Sequence, residues 1–182
     1  MNLTSSLLIA PPSVTDNFWY KTVIMVTEHH KRGSIGLILN KPSRTSITDF
    51  ADRLELYIDL PGFIYIGGPV NPTSLSIIHS PDWTTKNSMK INKHFSLSSS
   101  EEMLPRFAEG DYPRHWRIFS GMCSWLPNQL EKEINGTPPY HHNTSWCLSQ
   151  SEHSLVFDND SSDQWVAALE QSGVEFARNI LS

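Results

Sequence analysis

The feature that most restricts this chain is the brevity of its apolar runs. Residues 7–10, 23–26 and 35–39 are typical, and Pro, Gly, Asn and Ser interrupt them. A membrane helix needs about 18 consecutive apolar residues, so none of these runs spans a bilayer. Runs of this length suit buried strands, and the rhythm predicts brief strands with a few helices among them, an α+β chain. No internal repeat and no long linker divides the 182 residues, so residues 1–182 are expected to form a single domain.

The order of elements follows from local signals. Strands are expected at 7–10, 23–27 and 34–39, the last two as antiparallel neighbours around a polar loop at 28–33, closed by Gly33. Asn40-Lys41-Pro42 should end that hairpin in a turn. Ser46 is placed to cap a helix reaching about residue 56, with Ile47, Phe50 and Leu54 on one face. Strands at 63–66 and 75–79 flank Gly67-Gly68-Pro69, and weaker ones are expected at 89–91 and 94–97. Ser99 or Ser100 opens a helix to about Glu109.

A strand at 115–120, with Trp116, Ile118 and Ser120 on one face, then delivers the chain to Gly121 and Cys123. A helix starting near Pro127 should bury Leu130 and Ile134. Residues 145–149 and 155–157 read as late strands. The last helix is expected from Asp160 to about Ser172, with Trp165, Ala168 and Leu169 facing inward.

Charge and cysteine content narrow the function. Fourteen Lys and Arg against nineteen Asp and Glu give a net charge of −5, which argues against a surface built wholly for polyanions. Cys123 and Cys147 are expected as thiols rather than a bridge, and the first ten residues lack a basic leading segment. The cytoplasm is the expected location, with no membrane contact.

Chemical motifs are sparse. Neither a P-loop nor a G-x-G-x-x-G is present, and no G-x-S-x-G or S-x-x-K positions a nucleophile. Cys123 is the candidate nucleophile by elimination, at a strand end ahead of a helix whose dipole would favour a thiolate. A small buried residue at a crowded turn is the weightier reading. His141, His142 and Cys147 form the densest ligand zone but fit no metal-binding spacing, so no metal is expected. His29-His30 should be solvated in the hairpin loop.

Lys86, Lys90, Lys93 and His94, with Arg106, Arg114, His115 and Arg117, offer local basic patches. No recognition-helix pattern accompanies them, so a solvated surface outweighs nucleic-acid binding. Gln129 and Glu133 lie one helical turn apart, on a face shared near Trp125. Such a pair can hold a ligand or a partner's backbone, or satisfy groups at a helix start.

Read together, Glu28-His29, the run from Gly33 through Asn40-Lys41-Pro42, Gly67-Gly68-Pro69-Val70, Gly121-Met122-Cys123-Ser124-Trp125 and the run from Gln129 to Ile134 resemble the bacterial YqgE/AlgH family. Phe18, Trp146, Phe157 and Trp165 extend the likeness over nearly the whole chain. The resemblance implies an α+β domain with a bifurcated, barrel-like, mainly antiparallel sheet and flanking helices, in the bacterial cytoplasm. Family members are described as transcriptional regulators through a link to alginate control, with no established reaction and no cofactor.

Asn40, Lys41, Gly67, Gly68, Trp125, Gln129 and Glu133 carry over as a candidate binding surface. The chain departs from the family where Asn128 replaces the usual Gly and where residues 136–144 look inserted. The expected function is a non-enzymatic regulatory or interaction protein with a protein partner, its oligomeric state open. The alternatives are a small-ligand binder or thiol-dependent enzyme using Cys123, and a nucleic-acid-binding regulator.

Overall fold

A computed structural model describes residues 2–15, 17–141, 145–159 and 161–181. His142, part of the proposed ligand zone, the end of the 136–144 segment and Asp160 lie outside the described residues. The chain is α+β with almost entirely antiparallel pairing, and it divides into two compact units. Unit 1 comprises residues 1–40 and 123–182, and unit 2 comprises residues 41–122.

Unit 1 contains β1 (Ser6–Ile9), β2 (Val23–His30), β3 (Gly33–Ile38) and β10 (Cys147–Gln150), and receives the last residues of β9 (Trp116–Trp125). The strand order is β10-β1-β2-β3-β9. Leu7, Leu8, Ile9 and Val23 to Val26 are all fully buried, as continuous apolar runs require when both sheet faces are covered. Helix α4 (Ser161–Leu181) packs on β10, β1 and β2, and the Trp165 indole N–H donates to the Ala10 carbonyl at 2.8 Å.

The β2–β3 hairpin is antiparallel as expected, but β2 runs on through His30, so only Lys31-Arg32 form the turn. A bulge between Val26 and Glu28 absorbs one residue, and that shift lets the polar end of β2 stay in the ladder. Residues 155–157 are not a strand: Ser154–Asp158 form a π-helical turn, because a three-residue apolar run carries no periodicity of its own. Helix α4 passes Ser172 to Leu181, and among its described side chains Gln164 and Ala168 are buried, with Trp165 and Leu169 half-buried.

Unit 2 holds β4 (Pro42–Ser46), α1 (Ile47–Asp52), β5 (Phe63–Ile66), β6 (Val70–His79), β7 (Met89–Lys90), β8 (Ser96–Ser99), α2 (Ser100–Ala108) and most of β9. β9, β6, β8 and β7 follow one another antiparallel; β5 pairs parallel to β9 and antiparallel to β4. Pro42 opens β4 where a turn was expected, since Pro is tolerated at the first residue of a strand. Ser46 caps α1 as its hydroxyl accepts from the Asp49 N–H at 3.0 Å.

That helix stops at Asp52, so Leu54 falls outside it, half-exposed, and Ala51 takes the buried place. Ile47, Ile64, Ile77, Trp83, Met103, Phe107 and Ile118 build the core of unit 2.

Candidate functional site around helix α3

Helix α3 (Gln129–Ile134) begins after Asn128, whose φ of 61° places it in the left-handed region. Asn is among the few side chains that enter this region readily. Leu130 is fully buried among Leu8, Ile24 and Ile38, and this anchors the helix on the sheet of unit 1.

The polar face of α3 is closed by a network on Glu133. Its Oε2 accepts from the Trp125 indole N–H at 3.0 Å and from the Trp146 indole N–H at 2.9 Å, and its Oε1 accepts from Gln129 Nε2 at 2.9 Å. Gln129 Oε1 in turn accepts from the Leu126 backbone N–H at 2.9 Å, while the Gln129 N–H donates to the Leu126 carbonyl at 3.0 Å. The loop carrying Leu126 is thus pinned at both of its backbone polar groups, and the Leu126 side chain is left 74% exposed.

Trp146 packs edge-on against Trp19 at 5.8 Å, and Trp19 against Phe18 at 4.9 Å, with Phe18 41% exposed. Sequence reasoning found Trp125, Gln129 and Glu133, but not the place of Trp19 or the double use of Glu133 by two indoles. Phe18 and Trp146 in the family pattern were the available signal.

Of the remaining candidates, Asn40 belongs to unit 1, and Lys41, Gly67 and Gly68 belong to unit 2. Asn40 lies beyond β3, at the end opposite Ser34, the residue paired with Trp125. It is a buried strut: its Oδ1 accepts from the Val23 N–H at 3.0 Å and its Nδ2 donates to the Lys21 carbonyl at 2.7 Å. In unit 2 the Lys41 carbonyl accepts from the Ile66 N–H at 2.8 Å, and the Gly67 N–H donates to the Ser120 carbonyl at 2.8 Å.

Two glycines in the matched blocks are required by close backbone approach. Gly121 has φ +73°, and a Cβ there would lie 2.5 Å from the Gly68 carbonyl oxygen. Gly33 has φ +130°, and its Cβ would overlap the Trp125 carbonyl oxygen. The pairing of blocks far apart in sequence therefore has a packing cause.

Cys123 does not stand at a strand-to-helix turn. It lies inside β9, opposite Gly36, 2% exposed among Leu8, Val26 and Trp125, with α3 starting six residues later. Cys147 is half-buried, and burial pushes its thiol up; no disulfide joins the two. Among the described residues no three His, Cys, Asp or Glu side chains are grouped to hold a metal.

His29 is not solvated as expected. Its side chain is only 8% exposed, with Nδ1 2.8 Å from Ser34 Oγ and Nε2 3.5 Å from Glu131 Oε1 of α3.

Unit 2 engages several of the basic residues internally. The Arg106 guanidinium pairs with Asp111 at 2.6 Å and lies 4.4 Å from the Trp83 ring centroid. That ion pair, with the Trp83 indole N–H, holds the Asp111 carboxyl below its ordinary range. The Ser80 hydroxyl and the Arg114 N–H do the same for Asp82.

His79 is fully buried, its Nε2 2.9 Å from Ser98 Oγ and its Nδ1 2.8 Å from the Ser80 carbonyl. Burial pushes its pKa down, against the opposing pull of that carbonyl and of Asp82. The Ser98–His79 pair has nucleophile–base geometry, but Ser98 is 2% exposed, which denies it a substrate.

The α+β architecture, with its antiparallel strands and the parallel pairing of β5 with β9, defines a class shared with solved bacterial proteins. Over the whole of this chain and 95% of the other, it resembles the AlgH protein from Pseudomonas aeruginosa with a TM-score of 0.77 at 24% identity. A protein from Corynebacterium diphtheriae gives 0.67 at 21% identity, covering 91% of this chain and 84% of its own.

The chain belongs to the AlgH-like family (DUF179), whose model matches residues 7–177. Among its relatives, a UPF0301 protein from a Marinomonas species is 34% identical across 94% of this chain and 89% of that protein. One from Methylococcus capsulatus is 29% identical across 96% and 92%. Among the described residues no helix is long and apolar enough to cross a membrane.

Proposed function

We propose that this protein is a non-enzymatic interaction protein of the bacterial cytoplasm, and that it binds a protein partner through the α3 face of unit 1. The observation that carries this reading is Leu126. It is a large apolar side chain, 74% exposed, on a loop fixed by Gln129 and Glu133, and Glu133 also holds Trp146, from which the aromatic series runs through Trp19 to Phe18. Exposed apolar groups held by a rigid frame are what interface hot spots require, because little conformational entropy is lost on docking. In this reading Trp125, Gln129 and Glu133 form the frame, and Leu126 with Phe18 makes the contact. A regulatory role exercised through protein contact also agrees with a net charge of −5 and needs no nucleic acid.

The test is affinity capture from a lysate of a related bacterium, with tagged parent protein and the Leu126→Asp/Phe18→Asp double variant side by side. Both side chains are exposed, so circular dichroism and the thermal midpoint should be unchanged. The expected result is a partner retained by the parent and lost by the variant. Identical recoveries, or no specific recovery by the parent, would count against the proposal.

A further inference from the structure

In unit 2 a chain of hydrogen bonds runs from a buried ring to an exposed turn. His79 Nε2 lies 2.9 Å from Ser98 Oγ, Ser98 Oγ lies 2.7 Å from Ser88 Oγ, and Ser88 Oγ lies 3.2 Å from Thr85 Oγ1. His79 and Ser98 are buried, Ser88 and Thr85 are half-buried, and Lys86 and Asn87 between them are exposed.

The sense of each bond follows from what each group can donate. The Ser80 carbonyl only accepts, so the neutral His79 ring carries its proton on Nδ1 and leaves Nε2 as an acceptor. The Ser98 hydroxyl then donates its one proton to Nε2, and the Ser88 hydroxyl donates to Ser98. Ser88 Oγ accepts from the Thr85 N–H at 2.7 Å, while the Thr85 hydroxyl donates outward to Asn87 Oδ1 at 2.6 Å. The same atoms are satisfied with the sense reversed: Nε2–H donates to Ser98, Ser98 to Ser88, and Ser88 to Thr85 Oγ1. Only the imidazolium fits that second arrangement, because it donates from both ring nitrogens. Neither arrangement requires a heavy atom to move.

The surrounding charges are accounted for. Asp82, in the loop after β6, acts on His79 through space and is itself tied to the Ser80 hydroxyl and the Arg114 N–H. Trp83 stands edge-on to the imidazole at 5.1 Å, and its ring also meets Arg106 of α2, which pairs with Asp111. β8 sets Ser96 opposite His79, and β9 sets Trp116 there, with Arg117 opposite Ile78 and the His115 backbone bonded to Ser80. At the outer end Glu102 of α2 accepts from the Lys86 N–H at 2.9 Å. Both hydrogen bonds of the His79 ring go to uncharged groups, so no carboxylate in direct contact holds its second proton in place.

We propose that His79, Ser98, Ser88 and Thr85 form a reversible proton relay, a pH-responsive device in which the buried ring takes up a proton through the 85–88 turn while unit 2 stays folded. The Thr85 hydroxyl turns from Asn87 to Ser88, each hydroxyl passes its proton one place toward the ring and takes the next, and water at the turn supplies the proton that Thr85 gives up. The N–H bond at Nε2 is the net gain, and no hydroxyl is left charged. Reversal adds a Ser88 to Thr85 hydroxyl bond that the neutral chain lacks, so the turn registers the state of the ring. Burial of His79 sets this change on the acid side of 6.5.

The test is a pH titration of the full-length protein, labelled with nitrogen-15, with each imidazole followed separately by NMR so that His79 is read apart from His115. In the neutral form His79 is expected as the Nδ1–H tautomer. As the pH falls below 6.5 it should take up its proton with the spectrum still that of the folded chain, and the backbone signals of Thr85 and Ser88 should move with the same midpoint. Thr85→Val removes the last acceptor of the reversed chain and leaves the neutral chain from Ser88 to His79 intact, so the proton affinity of His79 should fall by about threefold or more. Ser88→Ala should lower it as well and uncouple the Thr85 signal, and Ser88→Thr should restore both. An Nε2–H tautomer, turn signals that ignore the His79 midpoint, an unchanged midpoint in Thr85→Val and Ser88→Ala, or unfolding before His79 is protonated would overturn the proposal.

Discussion

Glu133 Oε2 accepts the Trp125 indole N–H at 3.0 Å, and this bond ties α3 to the final residue of β9. The same oxygen takes the Trp146 indole N–H, so one carboxylate joins a helix, a strand end and the residue that leads into β10.

Removing that carboxylate leaves two indole donors without their acceptor. Glu133→Ala is expected to lower stability by about 1–3 kcal/mol, and Glu133→Gln by less, because an amide oxygen still accepts. Urea unfolding followed by tryptophan fluorescence reads both values. Equal midpoints for parent and Glu133→Ala would show that the network carries no stability.

Backbone approach at Gly121 gives a second expectation. Gly121→Ala combines a left-handed φ with a collision at the Gly68 carbonyl, so a loss of about 2 kcal/mol or more is expected. Thermal unfolding checks it, and a loss below about 0.5 kcal/mol would mean that the two backbone segments separate easily.

The depressed pKa of His79 sets a pH dependence. The unfolded chain takes up this proton around the ordinary histidine value of 6.5, whereas the folded chain resists it. Stability from His79 is therefore complete above that value and is lost as the pH falls from 6.5 toward the lower folded value. Asp82 and Asp111 are shifted down from 3.8, so their contributions persist above that value and fade only in more acid solution. His79→Gln should flatten the stability profile just below pH 6.5, as read by urea midpoints at successive pH values. A profile as steep as the parent's would assign the dependence elsewhere.

Thiol chemistry offers a fourth check. Cys123 is buried inside a strand and the Cys147 thiol is pushed up by burial, so both should react with iodoacetamide at pH 7.5 far more slowly than in urea. Mass spectrometry of alkylated peptides distinguishes the two. Alkylation of Cys123 in the native protein at the unfolded rate would revive a role for it as a nucleophile.

Local signals carried well where the determinants are local. The Ser46 cap, the antiparallel 23–39 hairpin and the Gln129–Glu133 spacing were all legible, because each depends on residues within one turn or one hairpin. The end of β9 was not. Gly121 reads as punctuation in sequence, yet the strand runs through it to Trp125, since the glycine meets the backbone at Gly68 rather than a turn. His29 was misread for the same kind of reason: it meets Glu131, about a hundred residues away in the chain.

The sequence by itself determined an α+β chain, its main antiparallel hairpin, and a polar pair on one face of α3, since short apolar runs and helical spacing act over a few residues. Tertiary structure alone decided that Glu133 would serve two indoles, that Cys123 would be sealed inside a strand, and that the Arg117 guanidinium would come within 4.5 Å of the Tyr65 ring centroid. Those outcomes depend on which distant segments are packed together, and spacing along the chain carries no record of that choice.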